Sequence, residues 1–159
     1  MLMTEPLTPA AFAPFGDVLA PPAEPGRRYF DAGLANRRET ARPSLLMSRV
    51  EPSSVGLLSV GVLERHEFSS QTFVPLSVSR WLVIVAPSSM DGRPDARRAR
   101  AFVAGPRQGI TYHAGTWHHG LTVLDTYGEF AVMMWRDDGP GDEEFVRLEE
   151  AFEVAVPSA

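Results

Sequence analysis

Fourteen prolines and thirteen glycines interrupt this 159-residue chain at short intervals. Long helices therefore have nowhere to run. Between the breaks lie eight short runs rich in Val, Leu, Phe, Ile and Trp: Ser44–Ser48, Val55–Leu63, Gln71–Pro75, Arg80–Val85, Ala99–Val103, Gly109–Tyr112, Gly120–Leu124 and Glu129–Trp135. Strand-length runs spaced by turn residues predict a mainly β fold, a sandwich or barrel, rather than alternating strands and helices. Two helices are expected beside it. Thr8 can cap a short one over Pro9–Phe12, with proline at the first helical position. The stretch Asp142–Phe152 spaces Phe145, Val146, Leu148 and Phe152 as one helical face, although a strand fits the same residues.

The length suits one domain over residues 1–159, and 44% apolar content supplies one core but not two. A net charge of −5 opposes nucleic-acid binding, which needs a basic footprint. With no cysteine, disulfides, thiolate nucleophiles and Cys-based metal sites are excluded. The start, MLMTEPLTPAAF, has no basic segment followed by a long apolar run, so no secretory signal is expected. The most apolar stretch, Trp81–Pro87, is far short of the about 20 residues a membrane span needs. A cytoplasmic protein without membrane or nucleic-acid partners is the expectation. The acidic cluster from Asp137-Asp138 to Asp142-Glu143-Glu144 reads as a solvated turn leading into a helix start.

All four histidines fall in two short segments, His66 in one and His113, His118 and His119 in the other. Imidazole titrates nearest neutrality and is the commonest metal ligand, so this concentration points to a site. On a strand, Glu64 and His66 share a face and Arg65 takes the other, where it serves the surface. Gln71 can return to the first face on the next strand. Some forty residues, Thr72 through Thr111, then separate this segment from His113-x-Gly115-x-x-His118. That is enough chain to run around a barrel and return. Trp81 and Trp117 read as barrel packing and Met133-Met134 as strand and core filling, while His119 points away from its neighbour His118.

The two segments resemble the paired motifs of the cupin superfamily, with Glu64-x-His66 and Gln71 in place of the first and His113-x-Gly115-x-x-His118 in place of the second. A tighter resemblance is to the ureidoglycolate lyase family. It is carried by Leu63-Glu64-Arg65-His66-x4-Gln71-x-Phe73-Val74-Pro75 and by Arg100-Ala101-Phe102-x5-Gln108-Gly109-x2-Tyr112-His113-x3-Trp117-His118-His119. Phe12-x2-Phe15-Gly16-Asp17-Val18 and Val83–Pro87 support it, so that it covers residues 12 to about 136. Two positions depart from the family pattern: Gly120 replaces a usual proline, and Trp135-Arg136 replaces a usual Asp-Arg pair.

The resemblance implies a cupin-like double-stranded β-barrel of jelly-roll type, a homodimer, and a lyase that cleaves (S)-ureidoglycolate to glyoxylate and urea. Glu64, His66, Tyr112, His113 and His118 are then the expected catalytic residues, with Glu64 as base or metal ligand and Tyr112 or His113 as proton donor. Gln71 would bind the ureido or hydroxyl group, and Arg49 or Arg136 the carboxylate. A divalent metal, if used, would lie among His66, Gln71 and His118, a mixed nitrogen and oxygen set suited to Ni, Mn, Fe or Zn. Two other readings share the barrel: a metal-dependent dioxygenase or isomerase acting on another small acid, and a small-acid binding module without turnover.

Overall fold

A computed structural model of the chain describes residues 1–53 and 56–158. Its strands are β1 (Leu2–Pro6), β2 (Gly16–Leu19), β3 (Arg42–Val50), β4 (Leu57–His66), β5 (Gln71–Ser77) and β6 (Arg80–Ala86). They continue with β7 (Arg100–Ala104), β8 (Gly109–Tyr112), β9 (Trp117–His118), β10 (Thr122–Leu124), β11 (Gly128–Arg136) and β12 (Glu143–Ala155). The helix α1 (Pro9–Phe12) forms as expected, with Thr8 Oγ1 accepting from Ala11 N at 3.2 Å. Val55, the first residue of one expected strand, lies outside the described residues. No helix among the described residues is long and apolar enough to cross a membrane.

Two sheets form. One runs β10-β6-β7-β1-β12-β4-β9, and β9 also pairs back onto β6, closing six of its strands into a ring. The other runs β2-β8-β5-β11-β3. The expected mainly β barrel architecture is thus borne out. Strand β6 explains why both layers hold together. Its Trp81, Val83 and Val85 enter the core shared with the second sheet, beside Phe102, Ile110 and Phe130. Its Leu82, Ile84 and Ala86 enter a second core inside the ring, with Val60, Leu63 and Trp117. A strand buried on both faces must be apolar at every position, which is the pattern Trp81–Ala86 carries. The tryptophans pack as expected: Trp81 meets Phe130 edge-on with ring centroids 5.1 Å apart, and Trp117 is wholly buried.

The expected C-terminal helix is instead β12, antiparallel to β4. Val146, Leu148, Phe152 and Val154 reach the inner core, all at even positions, as strand alternation requires. A helical face emerges from the sequence only by counting Phe145, and the polar Glu150 interrupts the even-numbered apolar series. The ladder also carries a bulge: Arg147 pairs with Val62 and Phe152 with Val60, so β12 advances five residues while β4 advances two. Phe145 stays exposed. Beyond β8, Gly115 adopts φ +84°, a conformation open to glycine, and turns the chain toward β9. Its N–H donates to His66 O at 2.7 Å, tying this turn to the end of β4.

Candidate active site

The site forms where one end of the ring meets one end of the second sheet. Glu64 and His66 end β4, His118 ends β9, Gln71 opens β5 and Tyr112 closes β8. The ladders align them: Glu64 opposes His118, and Gln71 opposes Tyr112. The rings of His66 and His118 are near-parallel (20°) with centroids 6.3 Å apart, and Tyr112 stacks on His118 at 4.1 Å. Five expected residues are therefore gathered together.

His118 is held firmly. Its Nδ1 lies 2.9 Å from Thr116 O, so Nδ1 carries the proton that the carbonyl accepts. Its Nε2 is buried without a hydrogen-bond partner, 3.4 Å from Glu64 Oε1. Burial pushes the Glu64 carboxyl upward, but contact with His118 and the charges of the neighbouring histidines outweigh it and hold Glu64 below its ordinary value. Tyr112 moves the opposite way. Burial, then the Glu64 charge, drives its phenol far above the ordinary range, so it stays protonated. Gln71 Oε1 is another buried acceptor without a partner.

His66 faces Asp142, with Nδ1 3.6 Å from Asp142 Oδ2. Burial, reinforced by His118, lowers the His66 pKa despite the opposing pull of Asp142 and Glu64. At neutral pH His66 is an uncharged imidazole. The carboxylate favours the proton on Nδ1, which leaves Nε2 as the basic nitrogen. Asp142 corrects the sequence reading. The rest of its acidic cluster borders solvent, but Asp142 is buried. It accepts from Phe68 N at 2.7 Å and from Ser69 Oγ, and pairs with Arg38 Nη2 at 3.2 Å. Arg38, also absent from the expected set, bridges to Asp137 at 2.9 Å and to Trp135 O at 3.0 Å. With His66, Trp135 and Arg136 it lines a cavity of about 320 Å³. Nothing in the run Asp137–Glu144 distinguishes Asp142 from its neighbours, and Arg38 sits in a loop with no motif.

Three expected residues stand apart from the cluster or at its rim. His113 is 42% exposed, 3.9 Å from Asp17, and lines a different cavity beside Phe15 and Arg100. Arg49 pairs across the sheet with Glu129, while Arg42 opposes Arg136. Those rungs lie seven residue steps apart along β3, roughly 23 Å. Arg49 and Arg136 therefore cannot clamp the same acid, and Arg136 is the one at the cavity. Arg65 lies on the far side as expected, its guanidinium 4.5 Å from the Trp117 ring centroid and 2.7 Å from Glu144. His119 turns away from His118, with Nδ1 3.4 Å from Val62 O.

The fit to a metal is incomplete. His118 and Glu64 offer one nitrogen and one oxygen, and Gln71 a second oxygen. Among the described residues, however, no group of three His, Cys, Asp or Glu side chains could hold a metal ion.

The buried histidines also set the acid limit of the fold. Burial lowers both His66 and His119 below 6.5, so the unfolded chain binds protons more readily than the folded one. Their stabilising contribution is complete above pH 6.5 and is lost as pH falls through their folded values. Glu64, lowered from 4.5, adds a further loss below that pH. Denaturation midpoints measured from pH 8 downward should be level at first, then decline below about pH 6.5 and more steeply below about pH 4.5.

Comparison with known proteins assigns the chain to a family. The sequence profile of the Ureidoglycolate lyase family matches residues 1–155. The chain is 34% identical over 167 residues to the ureidoglycolate lyase of Pseudomonas syringae pv. syringae, covering 98% of this chain and 95% of that protein. It is 40% identical over 172 residues to ureidoglycolate lyase 1 of Rhizobium meliloti, covering 100% and 96%. Among solved structures, a dTDP-6-deoxy-D-glucose-3,5-epimerase from Legionella pneumophila aligns over 63% of this chain and 51% of its own at TM-score 0.41 and 15% identity. On the strength of its full-length matches, the chain is an enzyme belonging to the ureidoglycolate lyase family.

Proposed function

We propose that the chain cleaves (S)-ureidoglycolate to glyoxylate and urea, with His66 moving one proton from the substrate hydroxyl to the departing nitrogen. The reaction breaks an O–H and a C–N bond and forms a C=O and an N–H bond. Atoms balance with no co-reactant, because the proton lost by oxygen is the proton gained by nitrogen. One imidazole can serve both halves if it begins neutral and is stabilised while charged. His66 meets both conditions, its pKa held down by burial and its Nδ1 facing Asp142. That pairing at the cavity, in a chain of this family, carries the proposal.

The other residues follow from what they offer. His118 Nε2 and Gln71 Oε1 are buried acceptors, suited to the hydroxyl and N–H donors of the substrate. Glu64 Oε1, 3.4 Å from His118 Nε2, adds a charged acceptor beside them. Tyr112, kept protonated, stacks on His118 and fixes its plane rather than supplying a proton. Racemic ureidoglycolate assayed for both products, before and after chelation, tests the reading. Equal amounts of urea and glyoxylate are expected. Ligand binding without either product would instead mark a binding module. Loss of activity on chelation, restored by a divalent cation, would assign that cation to Glu64 and His118.

The same reading includes a cytoplasmic homodimer. Leu45 and Met47 on the edge strand β3, with Val74 and Leu76 on β5, are 71%, 67%, 44% and 55% exposed on one outer sheet face. A contiguous apolar face of this kind suits burial against its copy. Light scattering should give twice the chain mass, and Met47→Glu should halve it. A mass of one chain for the unaltered protein would remove the dimer.

A further inference from the structure

The cavity beside His66 has a hydrogen-bonding character that its charges alone do not explain. Two of its lining residues, Arg38 and Trp135, each carry a buried N–H without a partner: Nε of Arg38 and Nε1 of Trp135. A buried donor left unpaired costs about 1–3 kcal/mol, and two such donors on one cavity match an acceptor brought by a ligand. That acceptor is not a carboxylate. The same lining sets Asp137, Asp138, Asp142 and Glu143 against only two guanidiniums, those of Arg38 and Arg136. Carboxylates outnumber guanidiniums two to one, so the surround is acidic and repels an anion. The fitting group is uncharged, with one acceptor oxygen and several N–H donors of its own.

We propose that this cavity is the subsite for the ureido group, its carbonyl oxygen accepting from Trp135 Nε1 and Arg38 Nε and its N–H groups facing the carboxylates. The assignment rests on the reaction proposed above and refines it. Trp135 becomes a specificity-determining residue, selecting ureido acids over acids bearing only hydroxyl and carboxyl groups. It also puts the leaving nitrogen in the cavity that His66 lines, and so requires the substrate carboxylate to lie outside it.

The test uses the intact ¹⁵N-labelled protein and follows its indole N–H resonances, Trp135 being identified by the signal missing from Trp135→Phe. The probes are ureidoacetate, which lacks the hydroxyl and cannot be cleaved, N-methylurea, and glycolate. Ureidoacetate and N-methylurea should shift the Trp135 signal and glycolate should not. Trp135→Phe, which keeps the ring and loses the N–H, should weaken ureidoacetate about two- to tenfold, the value of one neutral hydrogen bond, with glycolate affinity unchanged. A shift with glycolate but not N-methylurea overturns the assignment, as does an unmoved signal with ureidoacetate bound. The two proposals fail separately. Cleavage of ureidoglycolate with a silent Trp135 would retire the subsite alone, whereas N-methylurea binding at Trp135 without cleavage would retire the reaction alone.

Discussion

Replacing His66 with alanine should lower kcat/KM for ureidoglycolate about 10²–10⁴-fold, the usual worth of a positioned acid–base group. The effect is large because one imidazole serves both proton transfers, so its removal disables formation of the carbonyl and departure of urea together. His66 is 6% exposed, and truncation also leaves a void. His66→Gln, which fills most of that volume without a titratable nitrogen, should be equally impaired and melt close to the unaltered protein. Full activity in the glutamine variant would remove His66 from the chemistry.

Asp142→Ala should be the most destabilising single change near the site, by about 3–5 kcal/mol, the range for breaking a buried ion pair from one side. It strips Arg38 of one of two carboxylates and leaves Phe68 N without its acceptor. Those contacts join the loop before β3, the turn after β4 and the start of β12, so the loss reaches three parts of the chain. Asp142→Asn keeps one oxygen to accept from Phe68 N but loses the second acceptor, facing Ser69, and the charge, and should cost less than alanine. Urea denaturation of both variants at pH 7.5 checks the order. An alanine variant as stable as the unaltered protein would mean that Asp142 is not the joint described.

How far the sequence reveals this protein depends on where its information is local. Turn residues and apolar runs mark most of the strands, and β6 betrays its double burial by an unbroken apolar run. β12 is misread because the exposed Phe145 beside Val146 mimics a helical face and Glu150 interrupts the alternating apolar series, and no local signal reveals the partner β4. The cluster is legible for the same reason. Glu64, His66, Gln71, Tyr112 and His118 sit at strand ends in compact motifs, and the ladders bring those ends together. His113 shares a motif with His118, but across the turn at Gly115 only His118 joins the cluster, while His113 lines a separate cavity. Arg38 and Asp142 are hidden because their importance lies in burial and in each other. Each looks like an ordinary surface charge until tertiary contacts enclose it.

The dependence of kcat/KM on pH tests the proton-carrying role of His66 most directly. The free enzyme should lose activity on the acid side with an apparent pKa below 6.5, as burial of His66 requires. Because the Asp142 charge pulls that value upward, Asp142→Asn should move the acid limb to still lower pH while reducing the plateau. An acid limb at or above 6.5, or one unmoved by Asp142→Asn, would contradict a neutral His66 supported by Asp142.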